Sequence, residues 1–203
     1  MYNCIFTAHC TELICDKSCP TLVETSYLLE RNGISMSSSV FRSPQSDIDN
    51  MLSVLDKCEN KVGAYVVPSG KSTVDVSELL TYCAICKNWK GSRLHCNVYN
   101  LKYSKFVEDT KKSWSLKQDP ESLEYSRIWI ESSKVLIVSN LDYVNFGDFE
   151  AQTLLNILQA RQVEGKTTIF VIPPVRTMIS SKSSVFFDKL KEILLDAVKV
   201  VSK

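Results

Sequence analysis

Gly63-Ala64-Tyr65-Val66-Val67-Pro68-Ser69-Gly70-Lys71-Ser72-Thr73 joins an apolar run to a helical one. Gly63 to Val67 has the length and character of a buried strand, and Val74 to Trp89 has helical spacing. Gly70-Lys71-Ser72, set between them, is the end of a phosphate-binding loop. In a working loop the lysine reaches the β- and γ-phosphates, the serine hydroxyl binds Mg²⁺, and backbone amides cradle the anion. The motif also asks for glycine five positions before Gly70, where this chain has Tyr65. Without that glycine the tight turn around the phosphate is harder to form.

Working outward, strand-like and helix-like segments alternate. Helical spacing covers 47–57, 74–89, 120–130, 148–162 and 186–201, and 103–113 reads as helical or irregular. Leu94 to Leu101 alternates like a strand, while Val135 to Val138 and Thr167 to Ile172 are short continuous apolar runs. This alternation predicts an α/β layer fold with a mostly parallel sheet. Pro20 and Gly33 bracket an earlier helix, and the Ser-rich stretch 35–46 reads as a linker or extended arm. The expected organisation is therefore a module over 1–34, a linker over 35–46 and an α/β core over 47–203.

The two later strands carry the rest of a nucleotide-site pattern, with its chemistry missing. A hydrolysing site needs carboxylates after the second such strand to hold Mg²⁺ and polarise water. Val135-Leu136-Ile137-Val138 is followed by Ser139-Asn140, and Asp142 falls two residues too late. Thr167-Thr168-Ile169-Phe170-Val171-Ile172 ends in Pro173-Pro174, without a polar residue at the tip.

With these elements in this order, residues 47–203 resemble the AAA+ ATPase core of bacterial and phage replicative helicase loaders. Phe149-Glu150-Ala151-Gln152-Thr153-Leu154-Leu155 and Phe186-Phe187-Asp188-Lys189-Leu190 add to the resemblance. It implies a P-loop AAA+-like core, a protein partner such as a replication helicase, and a cysteine-bearing N-terminal module that engages that partner. The missing glycine, carboxylates and polar tip together predict a pseudo-ATPase. Gly70, Lys71 and Ser72 are then expected to hold a nucleotide weakly or simply to open a helix.

The cysteines are uneven. Of eight, Cys4, Cys10, Cys15 and Cys19 fall within sixteen residues. Four soft ligands in a segment too small to build its own core fit a structural zinc site, with an iron–sulfur cluster as the alternative. His9 adjoins Cys10 and competes with it as second ligand. Cys83 and Cys86 form a Cys-x-x-Cys pair within a helix among Leu79, Leu80, Tyr82 and Ile85, which reads as buried small apolar residues.

Charge narrows the partners. The 203 residues carry a net +1, too little for a protein that acts mainly by wrapping duplex DNA. Lys87, Lys90, Arg93, Lys102, Lys105, Lys111, Lys112 and Lys117 nevertheless oppose only Glu108 and Asp109, a net +6 over 31 residues. Trp89, Tyr99, Tyr103, Phe106 and Trp114 are interleaved with them. Cations for a phosphate backbone and rings for stacking on bases suit single-stranded nucleic acid. A solvated face or an acidic protein partner fits the same charges. No apolar run approaches the roughly 20 residues of a membrane span. Met1-Tyr2-Asn3-Cys4 lacks the regions of a signal peptide, so a cytoplasmic location is expected. The leading expectation is a non-hydrolysing adaptor or loader in replication of a mobile element. An active ATPase loader, and a defence, anti-defence or CRISPR-linked accessory protein binding nucleic acid, are the alternatives.

Overall fold

The computed structural model describes residues 20–35, 37–59, 62–67, 75–89, 97–116, 120–141, 147–171 and 199–201. Within them β1 (Val62–Val67), β2 (Val98–Lys102), β3 (Val135–Ser139), β4 (Thr167–Val171) and β5 (Lys199–Val201) pair as one parallel sheet. The strand order is β2-β3-β4-β1-β5. The helices are α1 (Pro20–Arg31), α2 (Gln45–Cys58), α3 (Val76–Asn88), α4 (Tyr103–Leu116), α5 (Glu121–Ser132) and α6 (Asp148–Val163). None is long and apolar enough to cross a membrane.

Side-chain alternation along the strands builds two apolar layers. Val98, Val135, Ile137 and Ile169 face a cluster supplied by α1, α2 and α3, including Leu28, Leu55, Leu80 and Ile85. Tyr99, Leu101, Leu136, Val138 and Phe170 face the opposite cluster, from α4, α5 and α6. All five residues of β3 are buried, which explains the continuous apolar run in the sequence. Cys83 belongs to the first layer, and burial pushes its thiol up to about 12, with Asp49 adding to the shift. It and half-buried Cys86 are core residues, as their helical neighbours suggested.

The first layer begins earlier in the chain than residue 47. Leu28 and Leu29 of α1 are buried in it, and so are Ile34 and Val40. The stretch expected to be a linker holds a 3-10 helix, Ser39–Arg42. Ser38 Oγ donates to Glu78 on α3 at 2.7 Å, and Phe41 meets Tyr82 edge-on at 5.4 Å. Its serines mislead because three apolar side chains, Ile34, Val40 and Phe41, are enough to seat it.

At the C-terminal end a helix is expected over 186–201, but Lys199–Val201 form β5, in parallel register with Tyr65–Val67. The far edge of β1 offers backbone partners there, and tertiary pairing outweighs helical spacing. At the other edge the end of α1 covers β2. Gly33 (φ +74°) closes α1 with Ile34 N–H on Leu29 O and Gly33 N–H on Glu30 O, as in a Schellman turn. Asn32 is thereby laid along β2. Its Oδ1 accepts from Asn100 N–H at 2.7 Å, its Nδ2 faces Val98 O at 3.4 Å, and Arg31 donates to Val98 O at 2.9 Å. An amide side chain thus satisfies the edge groups that a neighbouring strand would otherwise take.

Arg161 ties the amino-terminal edge together. It is 2% exposed. It donates to Thr168 Oγ1 (2.8 Å), Ile130 O (2.7 Å), Ser133 O (2.9 Å) and Thr167 O (2.7 Å). Burial pulls its pKa down to about 10, with Glu164 opposing the fall. The carbonyls at the end of α5 supply negative potential in place of a carboxylate. Arg161→Leu removes the donors for several buried carbonyls at once. Its urea unfolding curve should show a loss of about 3 kcal/mol, with Arg161→Lys falling between it and the parent.

Candidate functional site

In a parallel α/β sheet, ligands bind beyond the carboxyl ends of the strands, where the strand order reverses. Here that point lies at β1, because the chain leaves β1 for edge strand β2, steps back through β3 and β4, and ends on the far side at β5. Gly70, Lys71 and Ser72 follow β1 by sequence but lie outside the described residues, as does Asp142. The described surroundings are the start of α3 and the tips of β3 and β4.

Asp75 caps α3. Its Oδ1 accepts from Ser77 N–H at 2.8 Å, Glu78 N–H at 3.4 Å and Ser77 Oγ at 2.7 Å. The amides and positive dipole at this helix start, which would attract a phosphate, are therefore already met by a carboxylate from the chain itself. At the tip of β3, Ser139 is buried and donates to Asn100 Oδ1 at 2.8 Å. Asn100 is 4% exposed, and its Nδ2 has no hydrogen-bond partner. Asn140 then turns the chain with φ +59°. The positions that would carry Mg²⁺ carboxylates thus hold Ser139, whose hydroxyl bonds the Asn100 side chain of β2, and Asn140. They lie two strands from β1, roughly 10 Å at the usual strand spacing.

Among the described residues the nearest buried carboxylate along the chain is Glu150, and it is committed elsewhere. Its Oε2 accepts from Gly147 N–H at 2.8 Å, the reciprocal half of a capping box. Its Oε1 pairs with Lys111 of α4, and its backbone carbonyl accepts from the buried Tyr103 hydroxyl at 2.5 Å. Burial alone pushes the Glu150 carboxyl up. The Lys111 bond and the backbone amides outweigh that and hold it below the usual carboxylate range. Burial drives the Tyr103 hydroxyl above its ordinary value. Together these contacts fasten α4 to the first turn of α6. Trp114 and Phe149 meet in the same place, edge to face at 4.8 Å.

The basic stretch divides. Lys87 pairs with Asp56 (2.7 Å) and Glu59 (3.5 Å) on the α2–α3 side of the sheet. Lys105 pairs with Asp109 (3.1 Å), Lys111 with Glu150, and Lys112 with Glu108 (2.5 Å), all from α4. Exposed Lys102 stands beside Gly33, with no ion pair among the described residues. Lys90 and Arg93 lie outside those residues, as do Cys4, Cys10, Cys15, Cys19 and His9. Among the described residues, no group of three or more His, Cys, Asp or Glu side chains could hold a metal ion. Reading for motifs missed Asn100, Asp75 and Glu150. Only Asn100 left a clear trace, as a polar residue at an inward position of an alternating strand.

No protein-family model matches this sequence, and no curated protein matches it. Solved structures do match the fold. AMPPCP-bound DnaA from Aquifex aeolicus aligns with a TM-score of 0.53 at 11% identity, over 74% of this chain and 44% of that one. A replication initiator DnaA bound to AMPPCP and single-stranded DNA aligns at 0.53 and 10%, over 78% and 50%. A Streptococcus pyogenes serotype M3 protein described as a primosome component aligns at 0.53 and 17%, over 80% and 87%. The chain spans about half the length of the DnaA structures. The chain shares with these structures an α/β fold in which a parallel sheet is flanked by helices.

Proposed function

We propose that this protein is a non-hydrolysing AAA+-like adaptor or loader. It holds a replication helicase or another nucleic-acid-processing partner, in the service of a mobile element. The observation that carries this reading is the Ser139–Asn100 pair at the tip of β3, where hydrolysis requires carboxylates. Two further features support it. Glu150 is tied to Lys111 and Gly147, which keeps it from serving as a substitute Mg²⁺ ligand. Asp75 already fills the start of α3. Any nucleotide at Gly70, Lys71 and Ser72 is then held weakly and left intact. The likeness to folds of replication proteins supports the choice of partner class.

In this reading zinc on Cys4, Cys10, Cys15 and Cys19 stabilises the N-terminal segment as a second grip, with an iron–sulfur cluster as the alternative metal group. Single-stranded nucleic acid is a second partner of the core. Trp114, 64% exposed beside α4's lysines, supplies a ring for stacking, and Lys102 supplies a cation free of ion pairing among the described residues.

Four measurements test these points. ATP turnover by the purified chain should stay at the level of Lys71→Ala; brisk turnover lost in Lys71→Ala would establish an active ATPase instead. In the same samples, Asp75→Asn keeps a good cap but removes the charge, so a fluorescent ATP analogue should bind about twofold to fivefold more tightly. Elemental analysis should find metal in the parent protein and none in Cys15→Ser, whose circular dichroism keeps the core signal; retained metal would remove the module from the proposal. Fluorescence anisotropy with an oligo-dT strand should show salt-dependent binding that weakens several-fold in Lys102→Ala and in Trp114→Ala. Binding indifferent to both changes would place nucleic acid elsewhere.

A further inference from the structure

The end of α1 meets α5 beside the edge of the sheet. Arg31 stacks over the Trp129 ring at 3.8 Å, and Tyr27 lies close enough to Tyr125 to act on its hydroxyl. Along this seam four apolar or aromatic side chains face outward. Val23 is 56% exposed, Tyr27 48%, Tyr125 39% and Ile128 54%. Val23 and Tyr27 are one turn apart on α1, and Tyr125 and Ile128 one turn apart on α5, so the four make a continuous stripe. A cleft of about 430 Å³ opens beside it, between Arg31 and Gly33 at the end of α1 and Lys105, Ser122 and Tyr125. Tyr125 belongs to both, which gives the surface relief.

The rim of the stripe is acidic. Glu30 of α1 and Glu121, Glu124 and Glu131 of α5 are all exposed, and no ion pair among the described residues involves their side chains. The opposing charges are Arg127 on α5, Arg31, which is held by Trp129 and Val98 O, and Lys102 in the cleft wall. The α4 surface is the reverse case, with Lys105, Lys111 and Lys112 each matched by a carboxylate. Unmatched carboxylates around exposed aromatic and aliphatic side chains repel nucleic acid and anionic lipid. They attract a cation-bearing apolar surface. We infer that the α1–α5 seam docks a basic amphipathic helix of a protein partner. The partner's apolar face would lie on Val23, Tyr27, Tyr125 and Ile128, and its Lys or Arg residues would reach the four glutamates. This inference does not depend on the chemistry at the carboxyl edge of the sheet.

The test uses the full chain and two labelled 18-residue helical peptides with the same leucine face, one carrying lysines and the other glutamates. Fluorescence anisotropy should show binding of the lysine peptide, weakened at least tenfold by Ile128→Asp and comparably by the pair Glu124→Lys and Glu131→Lys, and no binding of the glutamate peptide. The charge-reversed pair leaves the apolar centre intact, so the result does not rest on one variant's folding. Equal binding of both peptides, absence of binding, or affinity unmoved by either variant would overturn the inference. So would a concentration-dependent dimer that Ile128→Asp dissolves, which would assign the seam to a second copy of this chain.

Discussion

Burial of β3 and β4 on both faces is the constraint from which the architecture follows. Strands apolar on both sides must be covered twice, and parallel neighbours cannot be joined by tight turns. Each connection from β1 through β4 therefore crosses a face as one or more helices, and every strand ends on the same edge. The end of β1, the tip of β3 and the start of α6 meet at that edge because of the way the core is buried. The same constraint leaves the opposite edge to a different task. There Arg161 gathers the end of α5 and the starts of β3 and β4 around one guanidinium.

At the carboxyl edge the described residues do not offer the electrostatics that a nucleotide and its metal call for. A phosphate and its metal call for open amides on one strand loop and carboxylates two strands away. This chain puts a carboxylate, Asp75, where amides are called for, and a hydroxyl–amide pair where carboxylates are called for. Both departures use ordinary hydrogen bonds that satisfy the local backbone and side chains. Among the described residues at this edge, the Asn100 amide nitrogen is the buried side-chain group left without a partner.

Much of this was legible from the sequence because it is local. The spacing of Leu154, Leu155 and Leu158 gave α6, and the apolar runs at 135–138 and 167–172 gave two central strands. The place of Ser139 at the end of one of them was likewise local information. Strand order was not legible, because pairing β1 with β4 joins residues a hundred apart. The role of residues 34–44 was hidden by a serine-rich composition that says nothing of where three apolar side chains land. β5 was lost because its helical spacing is real but its partner lies elsewhere in the chain. Arg161 follows Leu154 and Leu158 on one helical face. A charge on an apolar face was the available signal, although nothing nearby in sequence names the carbonyls that receive it.

The amide of Asn32 acts as a surrogate strand, and this bears on how the chain can be shortened. A fragment starting at α2 would keep the sheet but uncap its rim, leaving the Asn100 N–H and Val98 carbonyl open to any extended peptide. Such a fragment would be prone to recruit another molecule edge to edge, so α1 is better regarded as the hem of the sheet than as part of a detachable leader.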